Sequence, residues 1–360
     1  MQKIIIFRTD RLGDFLIISR IVYELKKKFP LYNITVVCSE KNLKMIKKLS
    51  FIDEVIVFNK YDNFFKKIKS FFKIFGKKYY LSLVLDGKKI SLLCNIFINS
   101  KKKYALVYRK EISFLSSKFY FTRPGFLYRK FFLDKYLYFT SKKSLAKIEH
   151  LPTIFLNLIK DLNLNITPKK NYIFESNHKA NVLYGRLKRK LNLRNFILIH
   201  LDEKWLDIKN IDFTLFSNIT FLQKKIRKKI VITTFNNNYQ YFLNIKKKFD
   251  SVNLINNSFS NSSISKNSKI YVLENADIFL FERLINYADF NVSCHSGFLV
   301  QVCGANKSKV IDIINNNDFI WYSCWKPLNT FHKFIFKTNS NNEKKNLKSI
   351  FASLSKVIRS

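Results

Sequence analysis

The chain alternates short apolar runs with amphipathic segments, and this alternation occurs twice. The first series starts at KIIIF (3–7), passes through a helical pattern over 14–29 and the run NITVVC (33–38), and reaches YLSLVLD (80–86). Short continuous apolar runs are typical of parallel strands that are buried on both faces, and the helical segments between them supply the crossovers. The pattern predicts an α/β fold with doubly wound parallel sheets.

The same rhythm begins again at FILIHL (196–201) and continues to KVIDII (309–314), after a polar segment at 162–177 that contains Pro168. A chain of 360 residues suits two domains rather than one core. We therefore predict a Rossmann-like domain over 1–168 and a second over 169–342. A helix within 343–360 is expected to pack back on the first domain.

The formal net charge is +40, from 65 Lys and Arg against 25 Asp and Glu. Lys, Asn, Ile and Phe are all abundant, so a general compositional bias explains much of this excess. A positive surface still favours anionic partners, among them nucleic acid, anionic lipid and phosphorylated sugars.

The cysteines are few, odd in number and far apart, and none forms a CxxC pair. Their spacing argues against both a zinc site and a disulfide framework, and it suits a reducing compartment. KIIIF is too short for the core of a signal peptide, and no apolar run approaches the ~18 residues that span a bilayer. We expect a cytoplasmic protein, either soluble or peripheral on the inner face of the cytoplasmic membrane.

Glycine occurs only 7 times, and two of these residues, Gly13 and Gly297, lie between a predicted strand and the helix that follows it. Ligands of open parallel sheets bind at the carboxyl ends of strands, where the first amides of a helix can hold an anion. An ordinary strand-to-helix turn also favours glycine. Two such turns in a glycine-poor chain nevertheless indicate a pair of ligand-binding loops.

The first of these loops carries a recognisable pattern. IIIFRTDRLGDFLIISRIVYELKKKFP (4–30) resembles the start of glycosyltransferase family 9, the heptosyltransferases of lipopolysaccharide core synthesis. FIDEVIVFNK (51–60) and YLSLVLDG (80–87) are similar to the family's next strands, and FILIHLDEKW (196–205) is similar to its donor-phosphate loop. INYADFNVSCHSGFLVQVCGANKSKVIDII (285–314) resembles its second signature.

The resemblance implies the GT-B fold, in which two Rossmann-like domains face each other across a cleft that holds the active site. It also implies inverting transfer from a nucleotide-diphosphate sugar, without a metal or any other cofactor. Asp14 would then be the base that takes the proton of the acceptor hydroxyl, at a helix start whose dipole favours a carboxylate. Gly13 would allow close approach of the acceptor. Arg8 and Arg11 would hold acceptor phosphates or pair with Asp10.

The donor would be held by the second domain. Lys204 is the first candidate for the cation that stabilises the leaving diphosphate, and Lys209 is the second. Ser296 and Gly297 would offer a hydroxyl and amides at a helix start. The remaining candidate donor contacts are His200, Thr234 and His295.

Three positions depart from the family's pattern. The family usually has Asp before its Ser/Thr-Gly pair, where this chain has His295, and it often has His where this chain has Val300. The acidic residue that family members place on the adenosine ribose is replaced by Asn in TTFNNNYQ (233–240). His295 is therefore either a donor contact or a polar residue that fills the turn, and the identity of the donor stays open.

Residues 101–143 form a block that is both basic and aromatic, with 12 Lys or Arg, 2 acidic residues and 13 aromatic rings. Such a block suits a membrane surface with anionic lipids, an ordinary basic domain surface, or single-stranded nucleic acid. No RRM, KH, helix-turn-helix or zinc pattern accompanies it, so the membrane interpretation is preferred over nucleic acid.

We therefore expect an inverting glycosyltransferase that moves a sugar, with heptose among the candidates, to a lipopolysaccharide-type or other anionic glycolipid acceptor. Two alternatives remain open. The first is a family-derived protein that binds nucleotide sugars or glycans without transfer, because of the changes at His295 and Val300. The second is a basic nucleic-acid-binding protein.

Overall fold

The computed structural model of the protein describes residues 2–58, 64–114, 117–140, 150–167, 177–208, 211–255, 258–259, 268–338 and 345–360. The chain divides into two compact units. Unit 1 consists of Met1–Ile173 and Ile320–Trp325, and unit 2 consists of Phe174–Phe319 and Lys326–Ser360.

The strands of the described residues belong to one sheet in each unit. Those of unit 1 are β1 (Lys3–Arg8), β2 (Asn33–Cys38), β3 (Glu54–Val57), β4 (Lys78–Val84), β5 (Asn99–Phe114), β6 (Ser117–Arg123) and β7 (Lys135–Thr140). Those of unit 2 are β8 (Phe196–Leu201), β9 (Lys229–Thr234), β10 (Asp250–Ile255), β11 (Ser258–Phe259), β12 (Ile270–Glu274), β13 (Phe290–Ser293), β14 (Val310–Ile314) and β15 (His332–Phe336).

The α-helices of the described residues connect these strands or pack on the sheets. They are α1 (Leu12–Lys28), α2 (Glu40–Ile46), α3 (Phe64–Phe72), α4 (Lys89–Phe97), α5 (Phe126–Phe132), α6 (Leu151–Leu158), α7 (His178–Leu191), α8 (Ile211–Ile226), α9 (Gln240–Lys246), α10 (Ile278–Tyr287), α11 (Gly297–Asn306), α12 (Phe319–Trp325) and α13 (Leu347–Arg359).

The apolar runs form the central strands. Residues Ile4 to Phe7 of β1 are fully buried, and all six residues of β8 are buried as well. A strand that is buried on both faces needs no polar face toward solvent, and its sequence is therefore a continuous apolar run. The prediction of two series of alternating strands and helices is confirmed.

Strand order identifies one position in each sheet where the connections reverse direction. The sheet of unit 1 runs β3-β2-β1-β4-β5-β6, with β7 paired to β5, and all its pairs are parallel except β5 with β6. The chain moves outward from β1 in one direction and returns to β4 on the other side. This point, between β1 and β4, is where a doubly wound sheet opens a crevice for ligands.

The sheet of unit 2 runs β11-β10-β12-β9-β8-β13-β14-β15 and is parallel except for the short strand β11. Its reversal lies between β8 and β13. The loop after β8 and the loop before α11 therefore meet at the carboxyl edge of unit 2, as the loops after β1 and β4 do in unit 1.

The end of the chain differs from the prediction. Helix α13 packs in unit 2, where Ile350, Phe351 and Leu354 are buried in the same core as Leu215 and Ile219 of α8. The segment that returns to unit 1 is instead Ile320–Trp325. There the rings of Trp321 and Trp325 lie 5.7 and 5.9 Å from that of Phe139.

Candidate functional site

Arg8 is the last residue of β1, and its guanidinium is buried against the loop that follows. It donates to the carbonyl of Leu85 after β4, and its Nε donates to the backbone carbonyl of Asp14 at 3.1 Å. It also lies over the ring of Phe155, 5.2 Å from the centroid. Arg8 therefore holds the two loops of the reversal point together. The predicted role as a holder of acceptor phosphates fits it poorly, because only 3% of the residue is exposed.

Asp10 and its neighbours fix the middle of the same loop. The Asp10 carboxylate lies 3.6 Å from Arg8 and 2.7 Å from Nζ of Lys88. Its backbone carbonyl accepts from Ser39 Oγ at 2.8 Å and Asn42 Nδ2 at 3.0 Å. Of the pairings expected for Asp10, the one with Arg8 is present, while the partner Lys88 was not foreseen. Arg11 is exposed and is the arginine of this loop that faces solvent.

Asp14 is the third residue of α1, and Gly13 beside it is buried. One carboxylate oxygen accepts from the amide of Arg11 at 3.1 Å, and the other lies 3.7 Å from Arg8. About 35% of the side chain remains exposed. Burial nevertheless raises the pKa of Asp14, against the opposing effect of Arg8. A carboxyl that is accessible and more basic than usual is suited to accept a proton near neutral pH.

Asp86, which the sequence analysis did not single out, supports this loop from the end of β4. Its carboxylate accepts from Thr9 Oγ1 at 2.6 Å, from Ser91 Oγ at 2.8 Å, and from the amides of Thr9 and Lys88. Burial raises its pKa. The following residue, Gly87, has a φ of +59°, which a side chain would strain. Gly87 is therefore a position at which the backbone itself favours glycine in this glycine-poor chain.

In unit 2, Lys204 lies in a short 3-10 helix directly after β8. Its Nζ donates to the backbone carbonyl of His295 at 2.7 Å, so it joins the two loops of the second reversal point. Its own carbonyl accepts from Nζ of Lys337 at 2.6 Å, and Lys337 is almost fully buried. Lys204 is thus held in place from both ends. Lys209 lies outside the described residues.

His295 has a φ of +57° and pairs with a buried carboxylate. Its Nδ1 lies 2.5 Å from Asp312 in β14, and His332 Nε2 approaches the same oxygen to 3.5 Å. Burial disfavours ionisation of Asp312, but the facing His295 holds its pKa well below the usual range. Burial lowers the pKa of His295, with Asp312 opposing. The consistent state at neutral pH is a neutral imidazole that donates from Nδ1 to an ionised Asp312, which leaves Nε2 with an acceptor lone pair.

The start of α11 follows immediately. Ser296 is its N-cap residue, and the Ser296 amide donates to Ser293 Oγ at 3.1 Å. The first amides of an α-helix lack intrahelical acceptors and carry the positive end of the dipole. A Cβ placed on Gly297 would meet no atom within 4 Å, so packing does not require glycine there. The open space instead allows a ligand to approach these amides.

Two predicted donor contacts are placed differently by the structure. His200 is fully buried in β8, its Nδ1 pairs with Thr233 Oγ1 at 3.1 Å, and burial lowers its pKa to about 3. Thr234 is also buried, and its hydroxyl closes a turn with the amide and carbonyl of Asn236. Burial of both side chains speaks against direct contact with a donor, so the two contacts stay predictions. Val300 is buried within α11 as well.

An exposed ring at the same edge was missed by the sequence analysis. Phe235 follows β9 directly and is 51% exposed. Its ring lies 4.8 Å from that of His200 and 5.1 Å from that of Phe281, so one side is supported while the rest is open. Beside it, Asn237 donates to Asn275, which in turn donates to Asn253. These side chains form an uncharged rim where the family pattern has a carboxylate.

Within the described ranges, no group of three or more His, Cys, Asp and Glu side chains is arranged to hold a metal ion.

Comparison of sequences finds no matching family model and no matching curated protein. Comparison of structures finds many. A glycosyl transferase family 9 structure from Veillonella parvula matches with a TM-score of 0.70 at 13% identity, over 99% of this chain and 97% of that one. The Escherichia coli heptosyltransferase WaaC, solved with ADP, matches with a TM-score of 0.63 at 12% identity, over 99% of both chains.

E. coli ADP-heptose lps heptosyltransferase II matches with a TM-score of 0.62 at 12% identity, over 100% of this chain and 99% of that one. These matches cover both units and confirm the predicted GT-B fold. They also confirm that the resemblance read from RTDRLGDF and its partner segments extends to the three-dimensional structure. The chain has the fold of the glycosyl transferase family 9 structures.

Proposed function

We propose that this protein is an inverting glycosyltransferase that uses a nucleotide-diphosphate sugar. One observation carries the proposal: the reversal point of each sheet holds a different half of the required chemistry. Unit 1 presents the accessible carboxylate of Asp14. Unit 2 presents Lys204 joined to the residue that precedes α11. The shared fold with family 9 structures supports the assignment of these halves to acceptor and donor.

The leaving diphosphate would be stabilised by Lys204 and by the first amides of α11. The positive charge of Nζ and the helix dipole both favour an anion at this place, and both groups are fixed before the ligand arrives. Lys337 contributes indirectly, because its bond to the Lys204 carbonyl positions the lysine backbone. Ser296 is 8% exposed, so its contribution would come from the backbone.

His295 would take over the role of the family's Asp toward the donor sugar. The Nδ1–H bond to Asp312 would fix the tautomer and the orientation of the imidazole ring with which the donor sugar makes contact. The neutral imidazole of His295 would stand where the family has a charged carboxylate, and the carboxylate of Asp312 lies behind it in β14. Asp312 therefore acts as a positioning residue.

The nucleobase would stack on Phe235. An aromatic face tolerates any base, and the Asn rim can bond ribose hydroxyls without a carboxylate. This combination does not select ADP over UDP or GDP in advance, so heptose is one candidate sugar among several.

In the transfer step, the acceptor oxygen attacks the anomeric carbon from the face opposite the diphosphate. Its proton passes to the Asp14 carboxylate, the new C–O bond forms, and the bond to the diphosphate breaks with its electron pair. The raised pKa of Asp14 makes the carboxylate a better proton acceptor than an exposed Asp. Exposed Arg11, rather than Arg8, would hold an acceptor phosphate.

No metal or other cofactor enters this scheme, because Lys204 and the α11 amides supply the positive charge. The acceptor would be an anionic glycolipid of the lipopolysaccharide type, presented at the inner face of the cytoplasmic membrane. A cytoplasmic donor and a lipid acceptor place the protein at that interface.

The test is an assay of donor hydrolysis and sugar transfer with ADP-, UDP- and GDP-sugars, in the presence and absence of EDTA. Turnover of one donor, insensitive to EDTA, with inversion at the anomeric carbon supports the proposal. Binding of a nucleotide sugar without turnover would favour the binding protein. Salt-dependent binding of DNA without nucleotide-sugar affinity would favour a nucleic-acid-binding protein.

A further inference from the structure

One face of helix α4 in unit 1 presents apolar side chains to solvent. Ile90, Leu93 and Phe97 are spaced along this face, and they are 42%, 52% and 54% exposed. The helix buries Leu92 and Cys94 in the core, but it also buries the polar residues Ser91 and Asn95, and Asn95 accepts from Ser82 Oγ at 2.6 Å. A helix on the surface of a soluble domain normally buries its apolar residues and exposes its polar ones. The exposed apolar face and the buried polar pair of α4 reverse this arrangement.

Helix α5 shows the same reversal. Phe126, Leu127 and Phe131 are 64%, 68% and 68% exposed. The residue that α5 buries is Arg129, whose Nη1 donates to Thr122 Oγ1 and to the carbonyl of Pro124, both at 2.6 Å. Helix α5 therefore buries a cation, with hydrogen bonds from its Nη1, while three large apolar side chains remain exposed.

Helix α3 extends this surface. Phe72, and Phe75 just after the helix, are exposed, while Phe71, which precedes them, packs edge-on against Phe97 of α4 at 6.0 Å. On the other side, the hydroxyl of Tyr128 in α5 donates to the carbonyl of Leu92 in α4 at 2.6 Å. The exposed sides of α3, α4 and α5 are thus neighbours, and we call them the three-helix surface.

The charges around the three-helix surface have one sign. The segments 64–78, 88–103 and 124–133 contain no Asp or Glu, and Lys66, Lys69 and Lys130 are exposed among the rings. A second copy of the chain, docked by the same surface, would bring lysines against lysines. A phospholipid surface with anionic headgroups complements both features, since it accepts apolar side chains and attracts cations.

We propose that the three-helix surface docks the protein on an anionic lipid bilayer. No helix among the described residues has the length and apolar character to cross a bilayer. The proposed contact is interfacial, with exposed apolar side chains at the level of the headgroups. The surface differs from the basic segment 101–143 expected from the sequence. Only α5 belongs to both, while α3 and α4 precede that segment. The proposal does not depend on glycosyl transfer.

The experiment is flotation of the whole protein with vesicles of phosphatidylcholine alone or of phosphatidylcholine with phosphatidylglycerol, without any nucleotide sugar. Wild type is expected to float with the anionic vesicles only. The charge variant Lys66→Glu/Lys69→Glu/Lys130→Glu should bind them about a hundredfold more weakly, since each lysine near a lipid surface contributes about fivefold. Its matched control is Lys224→Glu/Lys225→Glu/Lys247→Glu, which makes the same change of net charge at exposed positions of unit 2.

A second variant tests the exposed apolar side chains. Leu93→Ser/Leu127→Ser/Phe131→Ser keeps every charge and alters exposed side chains, so folding and melting temperature should be retained. Its binding should fall at least about tenfold, because the lost apolar area no longer enters the interface. Donor hydrolysis by the apolar variant should equal that of wild type, which separates docking from catalysis.

The proposal is overturned if wild type fails to float with anionic vesicles. It is overturned if the unit 2 control loses as much binding as the charge variant, because net charge alone would then be responsible. Equal binding by the apolar variant and wild type overturns the role of the exposed apolar side chains. A dimer in light scattering that the apolar variant abolishes, without vesicle binding, would assign the surface to a second copy.

Discussion

Lys204 donates a hydrogen bond to the backbone carbonyl of His295 at 2.7 Å, across 91 positions of sequence. The lysine therefore holds a residue in the left-handed region at the point where α11 begins. In the proposed function, one side chain would both offer its charge to a diphosphate and maintain the shape of the loop before the helix amides. Its replacement tests both contributions.

We expect Lys204→Ala to reduce donor turnover by about 2–4 kcal/mol in the activation free energy, as for the loss of an oxyanion-type contact. Lys204→Arg should retain more activity because it keeps the charge. Initial rates of donor hydrolysis give the measurement, with Lys224→Ala on exposed α8 as the control. Unchanged turnover in Lys204→Ala, together with a loss in Lys209→Ala, would show that the diphosphate lysine is the other one.

Asp14→Asn should cut transfer by about 10²–10⁴-fold while donor binding and folding persist. Asn keeps the shape of the side chain and can still accept from the Arg11 amide, and burial of a charge is removed. The melting temperature should therefore not fall. The comparison is Asp10→Asn, which loses ion pairs with Arg8 and Lys88 and should cost stability more than transfer. Wild-type transfer by Asp14→Asn would reduce Asp14 to a helix-capping residue.

Phe235→Ala should weaken nucleotide binding about 5- to 100-fold, the range expected when one base loses its stacking ring. Phe235→Tyr should bind as wild type does, since the aromatic face is kept. Titration calorimetry with ADP, UDP and GDP measures the effect and also names the preferred base. Phe216→Ala on α8 is the matched control, because Phe216 is a partly exposed ring that packs on Phe249. Equal affinity of Phe235→Ala and wild type would remove the ring from the site.

The dependence of stability on pH should be altered by Asp202, which follows β8. Burial raises the pKa of its carboxyl to about 7, with Lys204 opposing. The folded protein thus binds this proton more tightly than the unfolded chain, and the free energy of unfolding falls as pH rises from about 4 to about 7. Asp202→Asn lacks this loss and should be more stable than wild type at about pH 8, by about 1–3 kcal/mol.

The control variant for this experiment should change the free energy of unfolding in the opposite direction. The pKa of Asp312 is lowered in the folded state, so its stabilising effect is present at neutral pH and is lost in acid. Asp312→Asn should therefore be less stable than wild type at about pH 8. Denaturant unfolding at about pH 5 and about pH 8 measures both variants. If Asp202→Asn and wild type have the same free energy of unfolding at the higher pH, ionisation of Asp202 does not destabilise the folded protein, and the prediction fails.

The alternation of strands and helices could be predicted from the sequence because the central strands are buried on both faces. Short apolar runs such as KIIIF and FILIHL are typical of interior strands. The amphipathic helices between them act as crossovers, which make the neighbouring strands parallel. The order of the strands within each sheet could not be predicted, since it depends on pairing between strands that are far apart in the sequence. The reversal points, and hence the importance of Asp86 after β4, became visible only in the structure.

The burial of two candidate donor contacts, His200 and Thr234, could not be predicted from the sequence, for one physical reason. In a strand, a shift of one residue decides whether a side chain is buried or faces a ligand, so His200 and Thr234 could be near the right edge and still be inaccessible. Asp312 carried a usable signal, because a lone carboxylate in the buried run VIDII needs a polar partner. That partner, His295, lies 17 residues away and is brought there by the turn of the fold.

The route of the chain through Ile320–Trp325 bears on how the protein is made. Phe155, whose ring underlies the guanidinium of Arg8, is also 6.4 Å from the ring of Trp325. The ribosome therefore synthesises Trp325 long after Phe155, and the support beneath the Asp14 loop is complete only then. A fragment that ends at Ile173 would lack both tryptophans and their contacts with the rings of Phe139 and Phe155. We therefore expect such a fragment to be less stable than the same residues in the whole chain.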